Sequence, residues 1–124
     1  HCTMPKESFW NNRVRGVKVA FNGAFLLIRT EASIQIQIVI ALIVTAAGFY
    51  FEISAVEWIF QTLAISLVLG IEGLNTAIEK LSDYVQPDHD KRIGFIKDIS
   101  AGAVMFVSIG ASIVGLIIYI PKIF

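Results

Sequence analysis

Residues 72–83 read Glu72-Gly73-Leu74-Asn75-Thr76-Ala77-Ile78-Glu79-Lys80-Leu81-Ser82-Asp83. They follow a run from Val56 to Ile71 that is apolar apart from Glu57, Gln61, Thr62 and Ser66. Helical periodicity continues through both parts, so the pattern predicts one long helix over 56–85 whose polar end emerges from a bilayer. Glu72, Asn75, Glu79 and Asp83 are three, four and four residues apart and share one helix face. Ionised groups at membrane depth are costly, so such a face is by default a functional site.

The chain has 124 residues, which suits a single membrane domain over 1–124. Hydrophobic residues make up 56% and mean hydropathy is +0.72. Ordinary soluble domains reach roughly 45–50% apolar even with glycine counted. The chain therefore reads as an all-α integral membrane protein. Its zero net charge says nothing about partners, and no nucleic-acid partner is expected. Cys2 is the sole cysteine, which leaves no intrachain disulfide and no cysteine metal cluster. His1-Cys2-Thr3 precede Met4 and are set aside as extraneous. The first long apolar run starts near residue 34, too late for a secretory signal.

In residues 7–30, Trp10, Val14, Val17, Phe21, Phe25 and Ile28 recur at helical spacing. Arg13, Arg15, Lys18 and Arg29 fall mostly between them. This predicts an amphipathic helix on the membrane surface; a soluble helix packed on a partner is the alternative. Residues 34–51 form the first predicted span, short for the roughly 20 residues a bilayer needs. Glu52-Ile53-Ser54 link it to the second, with Trp58 as an interfacial anchor. Gln86 to Arg92 is a clear loop, and a helix over 93–120 contains the third span, Ile99 to Ile120, ended by Pro121 and Lys122. Ala101, Ser108, Ala111 and Gly115 give that span a small-residue face for close packing.

Lysine and arginine placement sets the orientation. Lys6, Arg13, Arg15, Lys18 and Arg29 precede the first span, and Lys91, Arg92 and Lys97 lie between the second and third. The first connection has none. The N-terminus and second connection are thus expected on the cytoplasmic side of a bacterial inner membrane, and the C-terminus outside. Three spans make a thin bundle, so oligomerisation is expected to shelter the carboxylates.

Carboxylates one or two turns apart can divide labour. One can hold Mg²⁺ together with phosphate oxygens and water, another can accept a proton, and Lys97 can neutralise phosphate charge. Phosphoryl transfer requires little more. No phosphate-binding glycine-rich loop is present, so any nucleotide site is built from helix side chains. The same face could equally line a proton or cation pathway. Lys97-Asp98 could be a simple ion pair, and His89 a solvated loop residue.

The run Glu72-Gly-Leu-Asn75-Thr-Ala-Ile-Glu79, then Asp83, then Lys97-Asp98 before Ala101-Gly-Ala-Val, resembles the prokaryotic diacylglycerol kinase family. Ala20-Phe21-Asn22-Gly23, with Glu31 eight residues beyond that glycine, matches as well. The C-terminal Val114-Gly-Leu-Ile-Ile-Tyr-Ile-Pro-Lys-Ile and Glu57-Trp58 look more like the undecaprenol kinase branch. The resemblance implies a homotrimeric bundle, each subunit having a surface helix and three transmembrane helices. It implies transfer of the ATP γ-phosphoryl group to a membrane lipid hydroxyl. Glu72 would be the catalytic base, and Glu31 and Glu79 the ligands of Mg²⁺ with ATP. Asn75, Asp83, Asp88, His89, Asp90, Lys97 and Asp98 would contact nucleotide, and Ala101 would border the lipid alongside Glu72. Asn12 and Val19 stand where the family carries arginine and tyrosine, so the basic residue at the phosphate is left unassigned.

Two other classes remain as expectations to be tested. A small proton-coupled transporter would use Glu72 and Glu79 as carriers, although such proteins usually have four spans. A non-catalytic membrane subunit would use the polar face as a docking seam.

Overall fold

The computed structural model describes residues 9–86, 88 and 90–124. They form four helices: α1 (Phe9–Thr30), α2 (Ala32–Tyr50), α3 (Ala55–Val85) and α4 (Lys91–Ile123). The last three are long and apolar enough to cross a membrane. Contact is most extensive between α3 and α4, then between α2 and α3. Among the described residues the buried apolar set is small: Ile34, Ile53, Val68 and Ile118. Most large apolar side chains face outward, as lipid-facing helices require.

Helices α1 and α2 abut at one non-helical residue, Glu31 (φ −109°, ψ 117°). The break has a local cause. Gln35 on α2 reaches back and donates from Nε2 to the carbonyls of Ile28 and Arg29, at 3.0 and 3.2 Å. These are acceptors that the end of a helix leaves unsatisfied.

The α2–α3 connection is a Schellman turn. The Ile53 N–H bonds the Gly48 carbonyl at 3.2 Å and the Glu52 N–H bonds that of Phe49 at 3.3 Å. Glu52 occupies its left-handed position (φ 51°), where glycine is usual. Gly48 is required for packing: a Cβ there would stand 2.7 Å from Trp58 Cη2. The Trp58 ring, expected as an interfacial anchor, also packs on Phe49 with ring centroids 4.9 Å apart. Ser54 and Glu57 open α3 with a capping box.

Pro121 does not end α4, contrary to the sequence expectation. The helix continues to Ile123, and the Phe124 N–H bonds the Ile120 carbonyl at 3.0 Å. So near the C-terminus a proline removes one donor from a turn that is otherwise held. Lys122 helps hold it by pairing with Glu57 at 3.2 Å. Lys91 and Arg92, expected in the loop, already belong to α4.

Gln61, Tyr119 and the Val44 carbonyl join the three spans near that end. A single phenolic proton cannot serve both the Val44 carbonyl and the Gln61 carbonyl. Turning the Gln61 amide lets Nε2 donate to Tyr119, whose proton goes to Val44, and leaves the buried unpartnered position to the carbonyl oxygen instead of the N–H₂. Ser108, Ala111 and Gly115 line a cleft of about 340 Å³ between α2, α3 and α4. Ala101, expected on the same small-residue face, is exposed.

Candidate active site

The C-terminal half of α3 and the first turns of α4 carry the expected polar residues. Glu72 is buried, at 8% exposure, and so are Gly73 beside it and Thr76 one turn on (5%). Leu27 of α1 covers Gly73: a Cβ there would stand 3.0 Å from Leu27 Cδ1. Glu72 is thus sheltered within one chain. Glu79 and Asp83, two and three turns beyond Glu72, are exposed.

Two rungs tie this face to α4. Ser100 Oγ donates to Asn75 Oδ1 at 2.7 Å, with Ser100 itself buried. Lys97 pairs with Asp83. The expectation of a Lys97–Asp98 ion pair is therefore replaced by a longer-range one; Asp98 is exposed. A lysine on the first turns of α4 reaches the end of antiparallel α3 more readily than it folds onto its own neighbour.

Glu31 arrives from the α1–α2 break. Its carboxylate pairs with Lys80 at 3.3 Å, with side-chain exposures of 21% for Glu31 and 68% for Lys80. Lys80 immediately follows Glu79, so Glu31 and Glu79 lie at similar depth. The described residues contain no cluster of three or more His, Cys, Asp or Glu able to hold a metal. Of the two carboxylates expected as ligands, Glu31 already faces a cation, Lys80, and Glu79 is exposed on the neighbouring helix position. A single carboxylate of this kind is enough in type for Mg²⁺, which takes one or two carboxylates and completes its shell with phosphate oxygens and water.

At the loop, Asp88 is exposed and His89 lies outside the described residues. Asp90 caps α4: its Oδ1 accepts from the Arg92 backbone N–H at 2.8 Å. That bond, assisted by the Arg92 side chain, holds the Asp90 carboxyl below the ordinary aspartate value.

Sequence reasoning missed Lys80, Ser100 and Gln35. Lys80 sits beside an expected ligand, but nothing local ties it to Glu31 forty-nine positions earlier. Ser100 follows Lys97 by three residues, on the same helix face, and this spacing was its one available signal.

A buried carboxylate at the base of a polar helix face, with exposed carboxylates and a lysine above it, suits a membrane enzyme that handles phosphate. Residues 18–119 match the prokaryotic diacylglycerol kinase family. The chain belongs to that family and is a membrane-embedded lipid kinase. It is 36% identical over 103 residues to an undecaprenol kinase of Bacillus subtilis (strain 168), covering 83% of this chain and 84% of the relative. Family membership decides for the kinase over the carrier and docking readings.

Proposed function

We propose that the chain transfers the γ-phosphoryl group of ATP to the hydroxyl of undecaprenol, with Glu72 as general base. The observation that carries this reading is Glu72 itself, a carboxylate at 8% exposure inside an otherwise apolar span. A group so placed meets a lipid hydroxyl from the bilayer side and shields the reacting oxygen from water. Glu72 takes the hydroxyl proton as the lipid oxygen bonds to phosphorus. The bond from the γ-phosphorus to the β-bridging oxygen breaks, and ADP leaves.

Glu31 and Glu79 would hold Mg²⁺, which when bound would supply charge neutralisation at the phosphates. Asn75 donates to phosphate oxygens, and Lys97, Asp83, Asp98 and the loop residues Asp88, His89 and Asp90 border the nucleotide. Ala101 borders the lipid. The α1 helix lies on the cytoplasmic face, the C-terminus lies outside, and subunits assemble as a homotrimer. The similarity to the Bacillus subtilis enzyme supports undecaprenol over diacylglycerol.

The test offers purified, membrane-reconstituted protein MgATP with undecaprenol or diacylglycerol side by side. Undecaprenol is expected to be phosphorylated faster, and Glu72→Gln to lose at least about a hundredfold in kcat, the low end of a general base's contribution. Near wild-type turnover by Glu72→Gln removes Glu72 as base; preference for diacylglycerol removes the substrate assignment.

A further inference from the structure

Most of the hydroxyls that form hydrogen bonds in this bundle stay within their own helix. Thr30, Thr45 and Ser112 each donate to the carbonyl four residues earlier, at 2.6, 2.7 and 2.8 Å. This is the usual resting place for a helical hydroxyl in an apolar setting. Ser100 behaves differently. Its Oγ leaves α4 and donates to Asn75 Oδ1 on α3 at 2.7 Å, from a position only 7% exposed.

A side-chain amide has one accepting end and one donating end, and its neighbours decide which way it faces. Ser100 occupies the accepting end. The donating N–H₂ is therefore turned from Ser100, on a helix face shared with Glu72 three residues before and Glu79 four residues after. A phosphate needs donors and repels a carbonyl oxygen, so an anion on that face favours the same orientation from the other side.

We infer that Ser100 is a positioning residue for the nucleotide: it anchors the Asn75 amide through Oδ1, leaving its N–H donors available to phosphate. Ser100 touches neither ATP nor lipid and acts only through Asn75. The inference rests on the reading of Asn75 as a phosphate contact. A free amide would divide its time between two orientations and offer a carbonyl to the phosphates in one of them. The Ser100 bond holds the amide in place, and because a hydroxyl can also accept, it is the phosphate that selects the orientation with the N–H donors outward.

The test is a cycle of Ser100→Ala, Asn75→Ala and the double variant, read by KM for ATP and for the lipid and by direct binding of a non-hydrolysable ATP analogue. Ser100→Ala is expected to raise KM and Kd for nucleotide about three- to tenfold, the scale of one neutral hydrogen bond. The KM for lipid stays unchanged. Ser100→Cys, with its weaker S–H donor, is expected to fall between. In the Asn75→Ala background, Ser100→Ala adds nothing further, because its only target is gone. Unchanged nucleotide affinity in Ser100→Ala, or the same fold-loss with and without Asn75, overturns the inference. If Asn75→Ala leaves nucleotide affinity intact, the phosphate reading of Asn75 is what fails.

Discussion

Lys80 holds the carboxylate proposed to bind Mg²⁺, and removing it has a calculable effect on cation affinity. Lys80→Met keeps the aliphatic stem and deletes the charge. At the observed 3.3 Å separation, two unit charges in bulk water attract by about 1.3 kcal/mol. Lys80 is 68% exposed, and immobilising its long side chain costs entropy, so the net coupling is at most about 1 kcal/mol. Converted at about 1.4 kcal/mol per decade, this is a two- to fivefold change. The direction is fixed: a lysine competing with, or repelling, a divalent cation weakens its binding. Mn²⁺ replaces Mg²⁺ in the assay, with electron paramagnetic resonance of the free ion titrated against nucleotide-free protein in lipid nanodiscs. Lys80→Met should bind Mn²⁺ two- to fivefold more tightly, and the gain should shrink in 0.5 M salt as screening sets in. Glu31→Gln should weaken the same site. A Lys80→Met variant with unchanged or weaker Mn²⁺ affinity, beside a weakened Glu31→Gln, refutes the competition. An unaltered Glu31→Gln refutes Glu31 as a ligand.

Two further outcomes test the scaffold. Gly48→Ala gains up to about 1 kcal/mol of helix propensity but drives a methyl into Trp58 and Ile53, at a cost of about 1–3 kcal/mol. The net is a lower Tm in detergent, and Trp58→Leu in the same chain should restore it. The Asp90 carboxyl has a depressed folded value, so its contribution to stability is full above the ordinary aspartate value of 3.8 and is lost as pH falls below it. Protection factors of amides 91–94, taken relative to the intrinsic exchange rate at each pH, should fall below about pH 4 in the wild type. Asp90→Asn, which cannot titrate, should show no such step.

Helix order was legible because lipid-facing helices must be apolar over a bilayer's thickness, and that pattern is local. The face of Glu72, Asn75, Glu79 and Asp83 was legible for the same reason, since helical spacing alone assembles it. The Glu31 break was partly legible: the predicted surface helix ended at residue 30, but the cause, Gln35 capping α1 from within α2, depends on how the chain turns. Pro121 misled because proline's effect depends on its distance from the helix end. Lys80 was invisible, and Ser100 was marked only by its spacing from Lys97, because each acts across an interhelical gap. A single polar residue on a long helix has several candidate partners until the register between helices is set. Rungs such as Lys97–Asp83 record that register once formed.

The one-residue break at Glu31 also makes α1 a lever. Its 22 residues extend about 33 Å at 1.5 Å per residue. A rotation of about 10° about the single extended residue sweeps its far end through about 6 Å, while the Glu31 carboxylate at the fulcrum barely moves. Small adjustments of backbone at the fulcrum are therefore geared up into large excursions of the Phe9 and Trp10 tip. Conversely, thermal motion of the tip is geared down before it reaches the carboxylate. A carboxylate located at such a pivot keeps its position while the end of the arm attached to it moves.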